Sequence, residues 1–220
     1  MTMKKDVEKL VKRSGPLAEN EVKDILRAYS ISTTRYVVVK KETDLNSIKL
    51  RFPVALKVCS NKILHKTDVG GVRLNIKDMV ELKQAFKDFR KKFPKEDLLV
   101  EQMQEKGVEI IIGLVNDPTF GLSIMFGIGG IFTELYKDVS FRVVPIDEYD
   151  AKQMVEEIKG KKLLEGFRGI KANKDIVIEL LLKVSRIGES LMDKIDQMDL
   201  NPVFVYENSY CVVDAKLILK

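Results

Sequence analysis

At about residue 97 the patterning of this sequence changes, and the change constrains the fold more than any other feature. Upstream, amphipathic helical segments alternate with single strands. Downstream, strand-length apolar runs follow one another: Leu98–Met103, Val108–Val115, Leu122–Phe126, and more within Ile131–Val144. Such a chain reads as α+β, with a lobe boundary near residue 100.

Before the break, Thr2 is placed to cap a short helix carrying Val7, Leu10 and Val11, stopped by Ser14-Gly15-Pro16. Val22, Ile25, Leu26 and Tyr29 recur at i, i+3, i+4, i+7, which predicts a second helix. Tyr36–Val39 reads as a strand, a short helix carries Leu45 and Ile48, and Phe52–Cys59 reads as the next strand. Val72–Ile76 follows as strand, and Asp78 with Glu81 three residues later predicts the start of a helix burying Leu82, Ala85, Phe86 and Phe89. After the break, Asp147 or Asp150 opens one helix and Asn173 opens another running to about Ile195. Strands Asn201–Tyr206 and Tyr210–Asp214, joined by Glu207-Asn208-Ser209, complete the pattern. The expected lobes are about residues 20–101, with a loop at 60–71, and about 102–220 together with 1–19.

Composition removes several function classes. The 220 residues carry 38 Lys+Arg against 33 Asp+Glu, a net charge of only +5, with the signs interspersed. The basic clusters Lys4–Lys5 and Arg90-Lys91-Lys92 lack interleaved aromatics, so they read as solvated helix faces and not as a nucleic-acid surface. A single His excludes a site built from several His ligands. Cys59 and Cys211 sit in apolar runs without CxxC spacing and read as buried free thiols of a cytoplasmic protein. No apolar stretch approaches the roughly 20 residues of a membrane span.

Four groups of residues bear on chemistry. Gly70–Gly71 and Gly127-Ile128-Gly129-Gly130 can let backbone N–H groups converge on an anion, although turns use the same residues and neither group fits a P-loop or GxGxxG pattern. Lys57 interrupts the apolar run Pro53–Val58, either on a solvated strand face or with its ammonium against a phosphate. Asn201 and Asp214 stand at the facing ends of two expected strands, either serving turns or offering oxygens to a hard cation such as Mg²⁺. His65, on the polar loop between two strands, is either an ordinary loop residue or a phosphoryl-carrying nucleophile.

Taken together, several motifs resemble one family. Phe-Pro-Val-Ala-Leu-Lys, Ile-Leu-His-Lys-Thr-Asp-Val-Gly-Gly-Val, Gly-Val-Glu-Ile-Ile-Ile-Gly, Asp-Pro-Thr-Phe-Gly, Phe-Gly-Ile-Gly-Gly-Ile-Phe-Thr-Glu, Gly-Phe-Arg-Gly and Asp-Leu-Asn-Pro-Val occur in this order from about Leu17 to Lys216. The set resembles the ATP-grasp β subunits of ADP-forming acetyl-CoA synthetases, also called acetate–CoA ligases. The resemblance implies an ATP-grasp fold, two α/β lobes with the nucleotide bound between them. It implies Lys57 on the nucleotide phosphates, Glu101 and Met103 at the hinge with their backbone toward the adenine edge, and Glu109 on the ribose hydroxyls. Asn201 and Asp214 would hold Mg²⁺, and His65 would be phosphorylated on a swinging loop, with Gly70 and Gly71 closing a phosphate cradle. Gly127, Gly129 and Gly130 would form a second glycine loop.

The resemblance further implies ATP/ADP as substrate and a separate CoA-binding α subunit in an α₂β₂ assembly, because the chain holds no CoA-binding fingerprint. It implies no nucleic acid and no membrane partner. Two other readings use the same residues: a carboxylate ligase of the ATP-grasp kind that forms an acyl phosphate without phosphohistidine, and a nucleotide-binding regulatory module. An imidazole at position 65 argues against the first, and intact Lys57, Asn201 and Asp214 against the second.

Overall fold

The computed structural model describes residues 7–130, 138–166, 169 and 171–220. Thr2, the centre of Gly-Phe-Arg-Gly, and the segment 131–137 with its Ile-Phe-Thr-Glu run and expected strand start lie outside the described residues. The chain forms two compact units: residues 18–21 with 34–105, and residues 1–17, 22–33 and 106–220. Residues 22–33 therefore group with the larger unit, whereas the sequence pattern assigns them to the smaller lobe.

Among the described residues, the smaller unit carries a four-stranded antiparallel sheet in the order β2 (Tyr36–Val39), β5 (Asp97–Gln102), β3 (Val54–Cys59), β4 (Val72–Ile76). Strand alternation sorts β3 into two faces. Val54, Leu56 and Val58 join Leu98, Val100, Leu82, Ala85, Phe86 and Phe89 in one apolar core beneath helix α2 (Met79–Lys92). At the start of α2, Asp78 accepts from the Glu81 N–H at 2.9 Å and Glu81 accepts from the Lys77 N–H at 2.8 Å. Ala55, Lys57 and Cys59 occupy the opposite face of β3, with Glu101 directly across from Ala55.

The larger unit carries, among the described residues, a seven-stranded antiparallel sheet in the order β1 (Gly15–Pro16), β11 (Ala215–Leu219), β9 (Ile195–Val205), β6 (Val108–Asp117), β7 (Gly121–Ile128), β8 (Val139–Val143); β10 (Tyr210–Val212) pairs with β9. Ile110, Ile112, Leu114, Leu122, Ile124 and Phe126 face a core shared with α1 (Glu19–Ala28), α3 (Glu148–Glu157) and α4 (Lys174–Ser190). Asp147 and Asp150 both serve the start of α3 in a reciprocal capping box, which explains why either fits the sequence pattern. Asn173 caps α4 by accepting from the Asp175 N–H at 2.9 Å.

The helix expected to reach about Ile195 ends at Ser190, and Ile195 opens an eleven-residue strand. Leu191, Ile195 and Met198 are buried and keep the i, i+4, i+7 spacing of a helix face, so the helical pattern runs on past the helix's end. The tail after Asp214 is a further strand, β11, and Gly15–Pro16, read as a helix stop, pairs with Leu219 and Ile218.

Candidate functional site

In the smaller unit the decisive residue is Lys57. The alternation reading is right about its period and wrong about its environment: Lys57 lies opposite the helix-covered face, yet is only 5% exposed. A buried ammonium needs partners, and Lys57 has two carboxylates. Its Nζ lies 2.9 Å from Glu19 Oε1 and 2.5 Å from Glu101 Oε2. Glu101 also accepts from the Thr34 hydroxyl, and Glu19 pairs with Lys66. Glu19, Lys57, Lys66 and Glu101 form a buried set of two cations and two anions.

Glu101 itself lies within β5, with Tyr36 registered on one side and Ala55 on the other. Its carboxylate pairs with Lys57. Met103 donates its N–H to the Pro53 carbonyl at 3.2 Å, and its sulfur accepts from the Asn75 N–H at 3.1 Å. Only a carbonyl is then on offer to a base from the Met103 backbone.

The loop after β3 is a closed turn at its far end. Gly71 donates to the Lys66 carbonyl at 2.6 Å and Gly70 to the Thr67 carbonyl at 2.9 Å, while the Gly71 carbonyl accepts from Val58. Both glycine N–H groups, expected to cradle phosphate, are thus engaged in shaping the loop. Gly70 suits this position because its φ of +59° belongs to the left-handed region that favours glycine. His65 is exposed on this loop, immediately before buried Lys66.

The larger unit holds the other expected residues. A cavity of about 760 Å³ is lined by Lys106, Glu109, Gly129, Gly130, Leu163 and Tyr206, among others. Gly129 donates to the Glu109 carbonyl at 2.7 Å, and a Cβ on Gly129 would lie 3.1–3.2 Å from Glu109 atoms. Close backbone approach is what this glycine supplies. Gly127, by contrast, belongs to β7, registered between Ile111 and Val139, so the glycine loop narrows to Gly129 and Gly130. The cavity is walled by the charged residues Lys106, Glu109, Lys171 and Glu207 as well as by Val108, Ile128 and Leu163, which suits a ligand with polar groups beside a flat apolar body.

Asn201 and Asp214 are brought together: the Asn201 N–H donates to the Asp214 carbonyl at 3.2 Å. Lys23, fully buried, donates to the Val213 carbonyl at 2.9 Å and fixes the residue before Asp214. Asp199 lies on the same strand, registered between Gly113 and Lys216. Burial raises the Asp199 carboxyl above its ordinary value, Lys216 opposes the shift, and Asp214 adds to it. Among the described residues no group of three or more His, Cys, Asp or Glu side chains is arranged to hold a metal ion. An amide oxygen and a carboxylate are nevertheless hard donors of the kind Mg²⁺ takes when phosphate oxygens complete its shell.

Sequence reasoning missed Glu19, Thr34, Lys66 and Asp199. Acidic residues in a first helical turn are common, so Glu19 carries no signal beyond favourable helix electrostatics. Asp199 stands inside the quoted Asp-Leu-Asn-Pro motif, but the same strand also carries Asp196, Gln197 and Asn201, so its charge alone does not single it out.

Comparisons with known proteins bear on the whole chain. The ATP-grasp domain family matches residues 9–219. The β subunit of acetate–CoA ligase [ADP-forming] II from Pyrococcus furiosus is 43% identical over 216 residues, covering 93% of this chain and 92% of that one. Acetate–CoA ligase [ADP-forming] II from Archaeoglobus fulgidus is 42% identical over 207 residues; the match covers 92% of this chain and 30% of that protein's length. Acetyl-coenzyme A synthetase 1 of Ca. Korarchaeum cryptofilum, solved with coenzyme A and Mg-AMPPCP and with its phosphohistidine segment pointing towards the nucleotide binding site, superposes with a TM-score of 0.81. It is 40% identical, covering 94% of this chain and 93% of that one. The chain belongs to the ATP-grasp family, in the branch that holds the β subunits of ADP-forming acetate–CoA ligases.

Proposed function

We propose that this chain is the nucleotide-handling β subunit of an ADP-forming acyl-CoA synthetase. The observation that carries the reading is the placement of exposed His65 next to Lys66, whose carboxylate partner Glu19 also holds Lys57. Lys57 binds nucleotide phosphate, Glu101 steadies Lys57, and Glu109 takes the ribose hydroxyls. Asn201 and Asp214 hold Mg²⁺, which neutralises phosphate charge when bound. His65 accepts a phosphoryl group and passes it to ADP.

The balanced route is acyl-CoA plus phosphate to acyl phosphate plus CoA, then phosphoryl transfer from acyl phosphate to a histidine of the partner with release of the free acid, then to His65, and finally to ADP to give ATP. A phosphoramidate is energetic enough for the last step. The CoA-binding α subunit supplies the acyl chemistry, and we infer an α₂β₂ assembly. Among the described residues no helix is long and apolar enough to cross a membrane, and we place the enzyme in the cytoplasm.

The test is reconstitution. The chain mixed with its α subunit forms ATP from acetyl-CoA, ADP and phosphate, while the chain alone binds Mg·ADP without turnover. Robust ATP synthesis by the purified chain alone would overturn the division of labour, and failure of the mixture to make ATP from any acyl-CoA would overturn the assignment.

A further inference from the structure

Glu19 joins two features that the proposed reaction treats separately. One carboxylate oxygen accepts from Lys57 Nζ at 2.9 Å, and the other pairs with Lys66 Nζ. Glu19 is 4% exposed and Lys66 7%, whereas His65 and Thr67 on either side of Lys66 are exposed. The loop is therefore fastened at the residue next to the histidine. Its backbone is fastened there too, since the Lys66 carbonyl accepts from Gly71. An apolar side chain would anchor a loop without the desolvation cost of a buried ammonium. An ion pair has a property that an apolar anchor lacks: its strength depends on what else its partner binds.

We propose that Glu19 is a positioning residue, holding the His65 loop through Lys66 and coupling that hold to the phosphate on Lys57. This rests on the reading above of Lys57 and His65. Docking Lys66 on Glu19 adds one positive charge beside Lys57, and withdrawing it removes that charge and leaves Glu19 less neutralised. Phosphate on Lys57 is better tolerated with Lys66 in place. Bound phosphate therefore favours the docked loop, and by linkage the docked loop favours bound phosphate. His65 is retained while there is a nucleotide to receive its phosphoryl group.

Glu19→Gln, Lys66→Met and the double variant test this in the full chain. Hydrogen exchange of residues 60–71 is measured with and without Mg·ADP, together with the rate at which labelled ATP phosphorylates His65. In wild type, ADP slows exchange in the loop. In each single variant the loop exchanges about tenfold faster, ADP no longer slows it, and labelling falls by about 10–100-fold, the usual effect of a misplaced reacting group. Glu19→Gln binds ADP about as tightly as wild type, because the charge of Glu19 and that of the released Lys66 leave the set together; a merely structural role would weaken ADP binding and speed exchange throughout the sheet. The double variant is no worse than either single, because both remove one interaction. Unchanged loop exchange in both singles, or losses that multiply in the double, would overturn the proposal. If wild type takes no label on His65, the phosphoryl relay falls and loop exchange in the variants still decides whether Glu19 holds the loop.

Discussion

Glu101 faces Lys57 from the neighbouring strand, with Oε2 2.5 Å from Nζ and both side chains buried. Removing the Lys57 ammonium takes from the buried Glu101 carboxylate its charged partner on the neighbouring strand, and breaking such a buried pair costs about 3–5 kcal/mol, whereas removing both members costs far less. Lys57→Met is therefore expected to lower unfolding free energy by about 3 kcal/mol. Lys57→Met combined with Glu101→Gln should recover part of that loss. Urea denaturation of the three chains checks this; a Lys57→Met chain within 1 kcal/mol of wild type would count against a buried ionic role.

Cys59, on the same face as Lys57, donates its thiol to Asn20 Oδ1 at 3.0 Å. Burial pushes the thiol from its ordinary 9.0 up to about 11, against the opposing effect of the Asn20 contact. At pH 9 roughly half the thiol is ionised in the unfolded chain and roughly one part in a hundred in the folded one. Between these two values the unfolded chain releases a proton that the folded chain keeps, so this group lowers stability as pH rises through that window. Iodoacetamide at pH 9 should modify Cys59 at least about tenfold more slowly in folded protein than in urea, read by peptide mass spectrometry. Equal rates would show that the thiol is open to solvent.

Asn201 and Asp214 approach through backbone that the fold fixes independently of any ion, by the Asn201–Asp214 hydrogen bond and by Lys23 on Val213. Asp214→Asn is accordingly expected to keep the melting temperature within a few degrees. It should weaken the Mg²⁺ dependence of ADP binding and reduce phosphoryl transfer by about a hundredfold or more, because phosphate charge is less well neutralised. Titration calorimetry of ADP with and without Mg²⁺ measures the first effect. An unchanged Mg²⁺ dependence would remove Asp214 from the metal site.

What could be read in advance follows from how local each signal is. The caps at Asp78, Asp147 and Asn173 are legible because a cap is a short-range pattern. Strand β11 is not, because Ala215–Leu219 is too short to show a period of its own and is defined by pairing with β9 across the turn after β10. At the site, Lys57 stands out as a charge in an apolar strand, but its partners lie 38 and 44 positions away in sequence, and only the antiparallel register of β3 and β5 brings Glu101 beside it. Gly70 and Gly71 announce a special backbone without saying whether their N–H groups face a ligand or the chain. In this loop they face the chain.

His65 gives the sharpest prediction. It is exposed on a loop fastened at the next residue by the Lys66–Glu19 pair, so release of that pair is what would let the imidazole travel. In-line transfer needs reacting atoms about 3–3.5 Å apart, and a carrier on a mobile loop meets that requirement at two sites in turn. His65→Ala is expected to leave ADP affinity within about threefold of wild type, because the nucleotide contacts we propose are made by other residues. With the α subunit present, acyl phosphate and the partner's phosphohistidine should still form, and ATP synthesis should stop. Labelled phosphate separates the cases: wild type carries acid-labile, base-stable label on this chain, and the variant carries none. An Ala variant that makes ATP at the normal rate would leave His65 as an ordinary loop residue and return the phosphoryl group to a direct route from acyl phosphate to ADP.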